Sequence, residues 1–227
     1  MRPTVLLFDV DGTLIDATGV GRRALTRTFA ARYGTSIAFE GIRFHGMTDP
    51  AIVRAALTAM GMPADAATID AILVEYLGHL ADEVARADRL RAHAGVVATL
   101  DAVAGWSDCA LGLGTGNIRA GARMKLDRIG LSERFAFGGF GCDHEDRPTL
   151  LHIGAARGAA RLGTSLDACR VVVIGDTPLD IAAAGAIGAE CVAVGTSGID
   201  VPTLAAAGAT HAFADLTAPG VLDALRG

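Results

Sequence analysis

The stretch LLFDVDGTLID (Leu6–Asp16) poses the main problem of this chain: an apolar run ends in two aspartates one residue apart, followed by glycine and threonine. Burying one carboxylate is costly, and two at the mouth of a hydrophobic strand repel each other. Either the strand ends in water, or a positive group belongs there. In an extended strand, residues i and i+2 point to the same side, so Asp9 and Asp11 are expected to face one site. Gly12 lets the chain turn sharply after the strand.

Other stretches repeat this pattern. Short β-rich runs at Val5–Phe8, Ala110–Leu113, Phe135–Phe140, Val171–Ile174 and Cys191–Val194 end in Gly, Asp, Thr or Ser, and His211–Ala214 is a weaker sixth. VVVIGD is apolar at consecutive positions, as expected of a strand covered on both faces. Helical patterns at Val96–Val103, Ala120–Ile129, Thr149–Leu162 and Leu179–Ala186 separate the later strands. Strand alternating with helix predicts an α/β fold with a doubly wound, mostly parallel, Rossmann-like sheet. Ligands of such sheets bind beyond the carboxyl ends of the strands.

The first connection breaks the alternation. About a hundred residues separate the first strand from the second, too many for one crossover. They carry helical patterns at Gly21–Tyr33, Pro50–Met60 and Ala66–Ala87. MTDP reads as a helix start, with Thr48 or Asp49 as cap and Pro50 in the first turn. The expected organisation is an α/β core of residues 1–15 and 89–227, with an inserted helical lobe over 16–88.

Composition narrows the classes. The 227 residues carry a formal net charge of −5, and 51% are hydrophobic but only 5% aromatic. This suits a globular core built from small side chains. No basic block suggests a nucleic-acid partner. The four cysteines are scattered without a CxxC pair, which argues against a zinc knuckle or redox motif and for reduced thiols in the cytoplasm. The N-terminal apolar run is too short for a signal peptide, and none reaches the roughly 18 residues of a membrane helix.

The strand ends hold the candidate chemistry. Paired carboxylates stabilise a hard cation such as Mg2+ through oxygen ligands. A carboxylate can also be a nucleophile that forms an aspartyl-phosphate, and a protonated neighbour can give and later retrieve a proton. The alternative for DxDGT is an acidic turn. GDTPLD supplies a second pair, Asp176 and Asp180, near a helix starting at Pro178; the alternative there is helix capping by Asp176. LGTGN puts the Thr115 hydroxyl and the backbone of Gly116 and Asn117 at a third strand end, where they can hold phosphate oxygens or form a plain turn. Two basic residues are candidates to balance these charges. Arg147 precedes a helical run in HEDRPTL. Lys125, in RMKLDRIGL, lies within a helix and is expected at the surface.

Taken together, these motifs resemble, in order and over nearly the whole chain, the haloacid dehalogenase-like superfamily of phosphohydrolases. FDVDGT is similar to its first motif, LGTGN to its second and GDTPLD to its fourth, and the helical lobe is similar to the family's small α-helical cap. The resemblance implies that Asp9 is the phosphorylated nucleophile. Asp11 is then the general acid/base and offers its backbone carbonyl to Mg2+. Thr115, Gly116 and Asn117 form the phosphate-holding stretch. Asp176 completes a metal site comprising Asp9, Asp11 and Asp176, with Asp180 behind it. The third motif usually carries Lys; here Arg147 stands at the expected place, where it would still neutralise phosphoryl charge.

The dehalogenating branch lacks the second Asp of DxD, so Asp11 points to phosphate chemistry. The sugar-phosphate mutase branch carries a flap His and a cap Arg where this chain has Gly21 and Asp49, which favours a simple phosphatase. The expected reaction is Mg2+-dependent hydrolysis of a small phosphomonoester, such as phosphoglycolate or a sugar phosphate. A mutase and a receiver-like phosphate-binding domain are the alternatives. The cap stretch RFHGMTDP offers Arg43, His45 and Thr48 as specificity candidates. The expected partner is a small phosphorylated metabolite, with neither nucleic acid nor membrane.

Overall fold

A computed structural model describes residues 2–227. Its centre is a six-stranded sheet of order β5-β4-β1-β6-β7-β8. The strands are β1 (Thr4–Phe8), β4 (Cys109–Thr115), β5 (Gly138–Phe140), β6 (Arg170–Gly175), β7 (Glu190–Val194) and β8 (His211–Phe213). Every pairing in it is parallel. A parallel sheet is covered on both faces, and β1 shows why its sequence is continuously apolar. Leu6 and Phe8 enter one core cluster, while Val5 and Leu7 enter the other.

Helices α6 (Arg147–Arg161) and α7 (Pro178–Ala186) cover the second face, and Leu150, Leu151 and Ile181 pack there with Leu7 and Val173. On the first face lies α4 (Val96–Ala104), with α5 (Arg119–Asp127) in the same core cluster; of the three helices inserted after β1, α1 (Val20–Tyr33), α2 (Asp49–Ala59) and α3 (Ala66–Ala85), α3 packs on the other two and on α5. Short helices α8 (Val201–Ala206) and α9 (Val221–Arg226) close the C-terminal part. A two-stranded antiparallel ribbon joins β2 (Ile15–Asp16) to β3 (Arg91–Ala92) where the chain leaves and re-enters the sheet region.

Four helices begin with the same device, among them α8, capped by Asp200 with Pro202 in its first turn. Thr48, Asp146 and Thr177 cap α2, α6 and α7, each accepting a backbone N–H from the first turn, and each helix carries proline at its start. Such a cap contributes about 1 kcal/mol, and proline loses nothing there because its position lacks an intrahelical partner. Asp49 and Arg147 are the first residues of α2 and α6, so the caps also fix where these two side chains project.

Two expectations need correction. The fifth strand is shorter than Phe135–Phe140, because Ser132–Arg134 forms a 3-10 turn and the Phe135 ring packs on Phe8 with centroids 6.3 Å apart. The cap of α7 is Thr177, not Asp176; Thr177 and Asp180 form a reciprocal capping box. Among the described residues, no helix is long and apolar enough to cross a membrane.

Candidate active site

Strand β1 ends at Phe8, one residue before the first aspartate. Asp9 stays aligned with the sheet because its N–H donates to the Ile174 carbonyl at 2.9 Å. Its carboxylate turns toward Arg147, with Nη2 to Oδ1 at 3.3 Å. The same guanidinium nitrogen donates to Asp180, and Nη1 donates to the Gly46 carbonyl at 3.1 Å. Asp180 is held from its other side by the Thr177 N–H and hydroxyl. Thus Arg147 is a buried cation between two buried carboxylates.

Asp176 completes this cluster from the end of β6. Its Oδ1 accepts from the Thr13 hydroxyl at 2.8 Å, whereas Oδ2 is buried without a partner. Gly12 is required beside it, since the backbone has φ 88° and a Cβ would run into the Asp176 carboxylate. Burial pushes the Asp9 carboxyl up to about 6; Arg147 opposes the shift, while Asp180 and Asp11 add to it. Burial, then Asp180 and Asp9, raise Asp176 well above the usual carboxylate range. Arg147 is raised too: burial disfavours its charge, but Asp180 and Asp9 outweigh that penalty.

Asp11 goes elsewhere. Strand alternation does not govern it, because the chain has already turned: the Gly12 N–H donates to the Ile15 carbonyl at 2.9 Å. Asp11 Oδ2 accepts from Lys125 Nζ at 2.6 Å and from Asn117 Nδ2 at 2.8 Å. Lys125 also donates to Asn117 Oδ1 at 2.6 Å. The expectation of a surface lysine is therefore overturned, for its side chain is only 3% exposed. The signal was in the sequence: Gly121, Ala122, Lys125 and Leu126 share the buried stripe of α5, at helical spacing.

The second-motif stretch divides in the same way. Thr115 is buried at the end of β4, and its hydroxyl oxygen accepts from Asn117 Nδ2 at 2.9 Å. Gly116 and Asn117 line the main cavity, whereas Thr115 lies behind that wall. A Cβ at Gly116 would strike the Met47 carbonyl, so glycine allows the loop before α2 to approach this closely. The contact is sealed by hydrogen bonds: Asp49 N–H donates to the Gly116 carbonyl at 2.8 Å, and Ile118 N–H donates to the Asp49 carboxylate at 2.8 Å. Burial pushes Asp49 up to about 6 against the pull of Lys125 and this N–H.

The cavity has a volume of about 590 Å3 and is lined by Asp9, Asp11, Lys125 and Arg147 together with Gly21, His45 and Asp49 from the segment inserted after β1. Of the three cap candidates, His45 lines it. Arg43 lines a separate surface hollow with Phe39 and Ile42. Thr48 spends its hydroxyl on the Glu145 carbonyl and the Ala51 N–H. Asp16, also on the cavity wall, pairs with Arg91 at 3.4 Å.

The donor chemistry fits a hard divalent cation. Carboxylate oxygens of Asp9, Asp176 and Asp180 all lie within 4.8 Å of one another. The orphaned Asp176 Oδ2 is a ligand atom in need of a positive partner. Asp180 has its oxygens engaged by Arg147 and Thr177, and the Asp11 side chain lies outside this cluster.

Comparisons with known proteins agree with this architecture. A curated relative, phosphoglycolate phosphatase from Mesorhizobium japonicum, is 28% identical over 198 residues, covering 86% of this chain and 83% of that protein. The crystal structure of CbbY from Rhodobacter sphaeroides in complex with phosphate superposes with a TM-score of 0.73 at 17% identity, covering 100% of both chains. A putative beta-phosphoglucomutase from Thermotoga maritima gives 0.61 at 23% identity, covering 98% of both. At these identities the structural likeness speaks for the fold alone. The family model of haloacid dehalogenase-like hydrolases matches residues 3–188, the span that contains Asp9, Asp11, Arg147, Asp176 and Asp180, and the chain belongs to that family.

Proposed function

We propose that this protein is a Mg2+-dependent phosphatase that hydrolyses a small phosphomonoester through an aspartyl-phosphate on Asp9. The observation that carries the reading is the convergence of Asp9, Asp176 and Asp180 beside Arg147, with Asp9 and Arg147 reaching the cavity and Asp11 held apart by Lys125 and Asn117. Residues 1–15 and 89–227 act as the catalytic core, and residues 16–88 as the cap that closes over the substrate.

In the first half-reaction an Asp9 carboxylate oxygen attacks phosphorus, the bond to the ester oxygen breaks, and Asp11 gives the leaving oxygen a proton. In the second, Asp11 takes a proton from water, the water oxygen attacks phosphorus, and phosphate leaves with Asp9 regenerated. Arg147 and the Gly116 amide hold phosphoryl oxygens, while Lys125 and Asn117 fix the Asp11 carboxylate. This division suits phosphoryl transfer, which depends on positioning and charge stabilisation. Asp9, Asp176 and the backbone carbonyl of Asp11 would hold Mg2+, with Asp180 supporting them. When bound, the ion supplies positive charge that stabilises the phosphoryl group and relieves the carboxylate repulsion.

Phosphoglycolate and sugar phosphates are the substrate candidates, the first supported by the Mesorhizobium relative. Hydrolysis is favoured over phosphotransfer because Gly21 and a buried Asp49 stand where the mutase branch carries His and Arg. The test is phosphate release from a panel of phosphomonoesters with and without Mg2+. The wild type releases phosphate, and Asp9→Asn loses this by several orders of magnitude. Near-wild-type turnover by Asp9→Asn would refute the nucleophile, and an isomerised product without free phosphate would refute hydrolysis.

A further inference from the structure

The 3-10 turn that follows β7, Gly195–Ser197, brings two hydroxyls to the carboxyl end of the sheet. Strand β7 lies beside β6, with Ala193 opposite Gly175, so the residues after the two strands meet. Thr196 and Ser197 both line the main cavity and are half-buried. Each spends its hydroxyl on backbone. Thr196 donates to the Gly12 carbonyl, and Ser197 donates to the Asp176 carbonyl at 3.3 Å. These acceptors belong to the two chain segments, after β1 and after β6, that carry the acidic residues.

Gly12 is the freest point of this region, because glycine has no Cβ to restrict its backbone. Two hydrogen bonds restrict it instead. Its N–H donates to the Ile15 carbonyl at 2.9 Å, and its carbonyl accepts from Thr196. The peptide between Asp11 and Gly12 is trans and planar, so the Asp11 carbonyl points away from the Gly12 N–H in the same plane. Holding Gly12 at both ends therefore fixes the direction of the Asp11 carbonyl. Asp176 is held at two points as well: Thr13 donates to its Oδ1 at 2.8 Å, and Ser197 to its carbonyl. Only Oδ2, buried and without a partner, is left over. We propose that Thr196 and Ser197 are positioning residues that hold the Asp11 carbonyl and the Asp176 carboxylate in place for a divalent cation before it binds.

The effect falls on metal binding more than on folding. A carbonyl beside the cavity that loses its hydroxyl partner can turn to water, so the fold keeps its hydrogen bonds. The Gly12 backbone then samples more conformations, and a cation has to restrict them again before the Asp11 carbonyl can serve it. Partners that orient metal ligands contribute about 10–100-fold in affinity. A neutral hydroxyl acting through one glycine belongs at the low end of that range. Ser197 makes a long bond for a hydroxyl donor, so Thr196 has the larger share. The proposal rests on the Mg2+-dependent reading and adds two residues to the support of its metal site.

The test is calorimetric titration of the full chain with Mg2+ alone, with urea denaturation in EDTA as the measure of the fold. Thr196→Val keeps the shape of the side chain and removes the hydroxyl; Thr196→Ser keeps the hydroxyl and removes the methyl. The expected Mg2+ dissociation constant of Thr196→Val is about tenfold above wild type, with the urea midpoint in EDTA little changed. Thr196→Ser restores the wild-type affinity, and Ser197→Ala weakens binding by about threefold, as its longer bond implies. Wild-type Mg2+ affinity in Thr196→Val overturns the proposal, and a raised KM for the ester in that variant would then make Thr196 a substrate contact instead. Equal weakening in Thr196→Val and Thr196→Ser overturns it too, because the methyl and not the hydroxyl would be responsible. The two readings fail separately. A wild type that binds Mg2+ but releases no phosphate ends the phosphatase reading and leaves the affinity comparison standing, whereas a wild type that binds no Mg2+ ends both.

Discussion

Asp9→Asn is expected to abolish turnover and also to stabilise the metal-free fold at neutral pH. Asp9 is a buried carboxyl whose pKa is pushed from 3.8 to about 6, chiefly by burial. Unfolding returns it to its ordinary value. Between those pH values the folded chain keeps a proton that the unfolded chain has released. Stability therefore falls as pH rises from about 4 to about 6, and stays reduced above that range. A gap this wide corresponds to about 3 kcal/mol. Asparagine has nearly the same shape, carries no charge, and its side-chain oxygen can still accept from Arg147. The variant is thus expected to be more stable than wild type by up to about 3 kcal/mol at pH 7.5. The assay is urea denaturation in EDTA at pH 7.5 and 4.5, comparing midpoints at constant slope. The advantage shrinks toward pH 4.5, where wild-type Asp9 takes up its proton. It also shrinks in Mg2+, which stabilises whichever folded form binds it. An Asp9→Asn protein no more stable than wild type at pH 7.5 in EDTA would show that the attraction of Arg147 outweighs burial, and the argument would fail.

Lys125→Met leaves Asp11 without its cation, and because Asp11 is partly exposed the expected loss is about 1–3 kcal/mol; the loss is smaller in an Asp11→Asn background, as a double-mutant cycle by denaturation will register. Gly116→Ala drives a methyl into the Met47 carbonyl, so the loop before α2 is displaced and KM for the best ester rises severalfold in steady-state kinetics. Mg2+ at a hundredfold over its dissociation constant stabilises wild type by about 2.7 kcal/mol. Thermal denaturation with Mg2+ against EDTA is expected to show that this increment is lost in Asp176→Asn, whose orphaned oxygen has been replaced.

The parts of the fold and site that were legible in the sequence are those written in short-range patterns. A continuous apolar run that ends in an acid marks a doubly covered strand, and β1 and β6 both fit. Caps followed by proline mark helix starts, and the beginnings of α2, α6 and α7 fell within a residue or two of expectation. What stayed hidden depends on contacts distant in sequence. Thr196 reaches the Gly12 carbonyl, 184 residues away, only once β7 lies beside β6 and β6 beside β1. Thr48 loses its place as a substrate contact because the Glu145 carbonyl, 97 residues away, takes its hydroxyl. Arg43 sits on an exposed loop whose direction no local periodicity fixes.

The paired aspartates show how one residue of difference changes the physics. Had β1 continued through Asp11, both carboxylates would project together and their repulsion would need a single shared countercharge. The strand instead stops at Phe8, and the turn at Gly12 sends the second carboxylate away from the first. Each then meets its own buried cation, Arg147 from the start of α6 for Asp9 and Lys125 from the end of α5 for Asp11. Separate cations give the two side chains separate surroundings, as the proposed division between a nucleophile and a proton carrier requires. The cluster around Arg147 remains one of three buried carboxylates against one guanidinium. That excess of acidic groups costs stability at neutral pH in the absence of metal, and the same groups would draw a divalent cation to the end of the sheet.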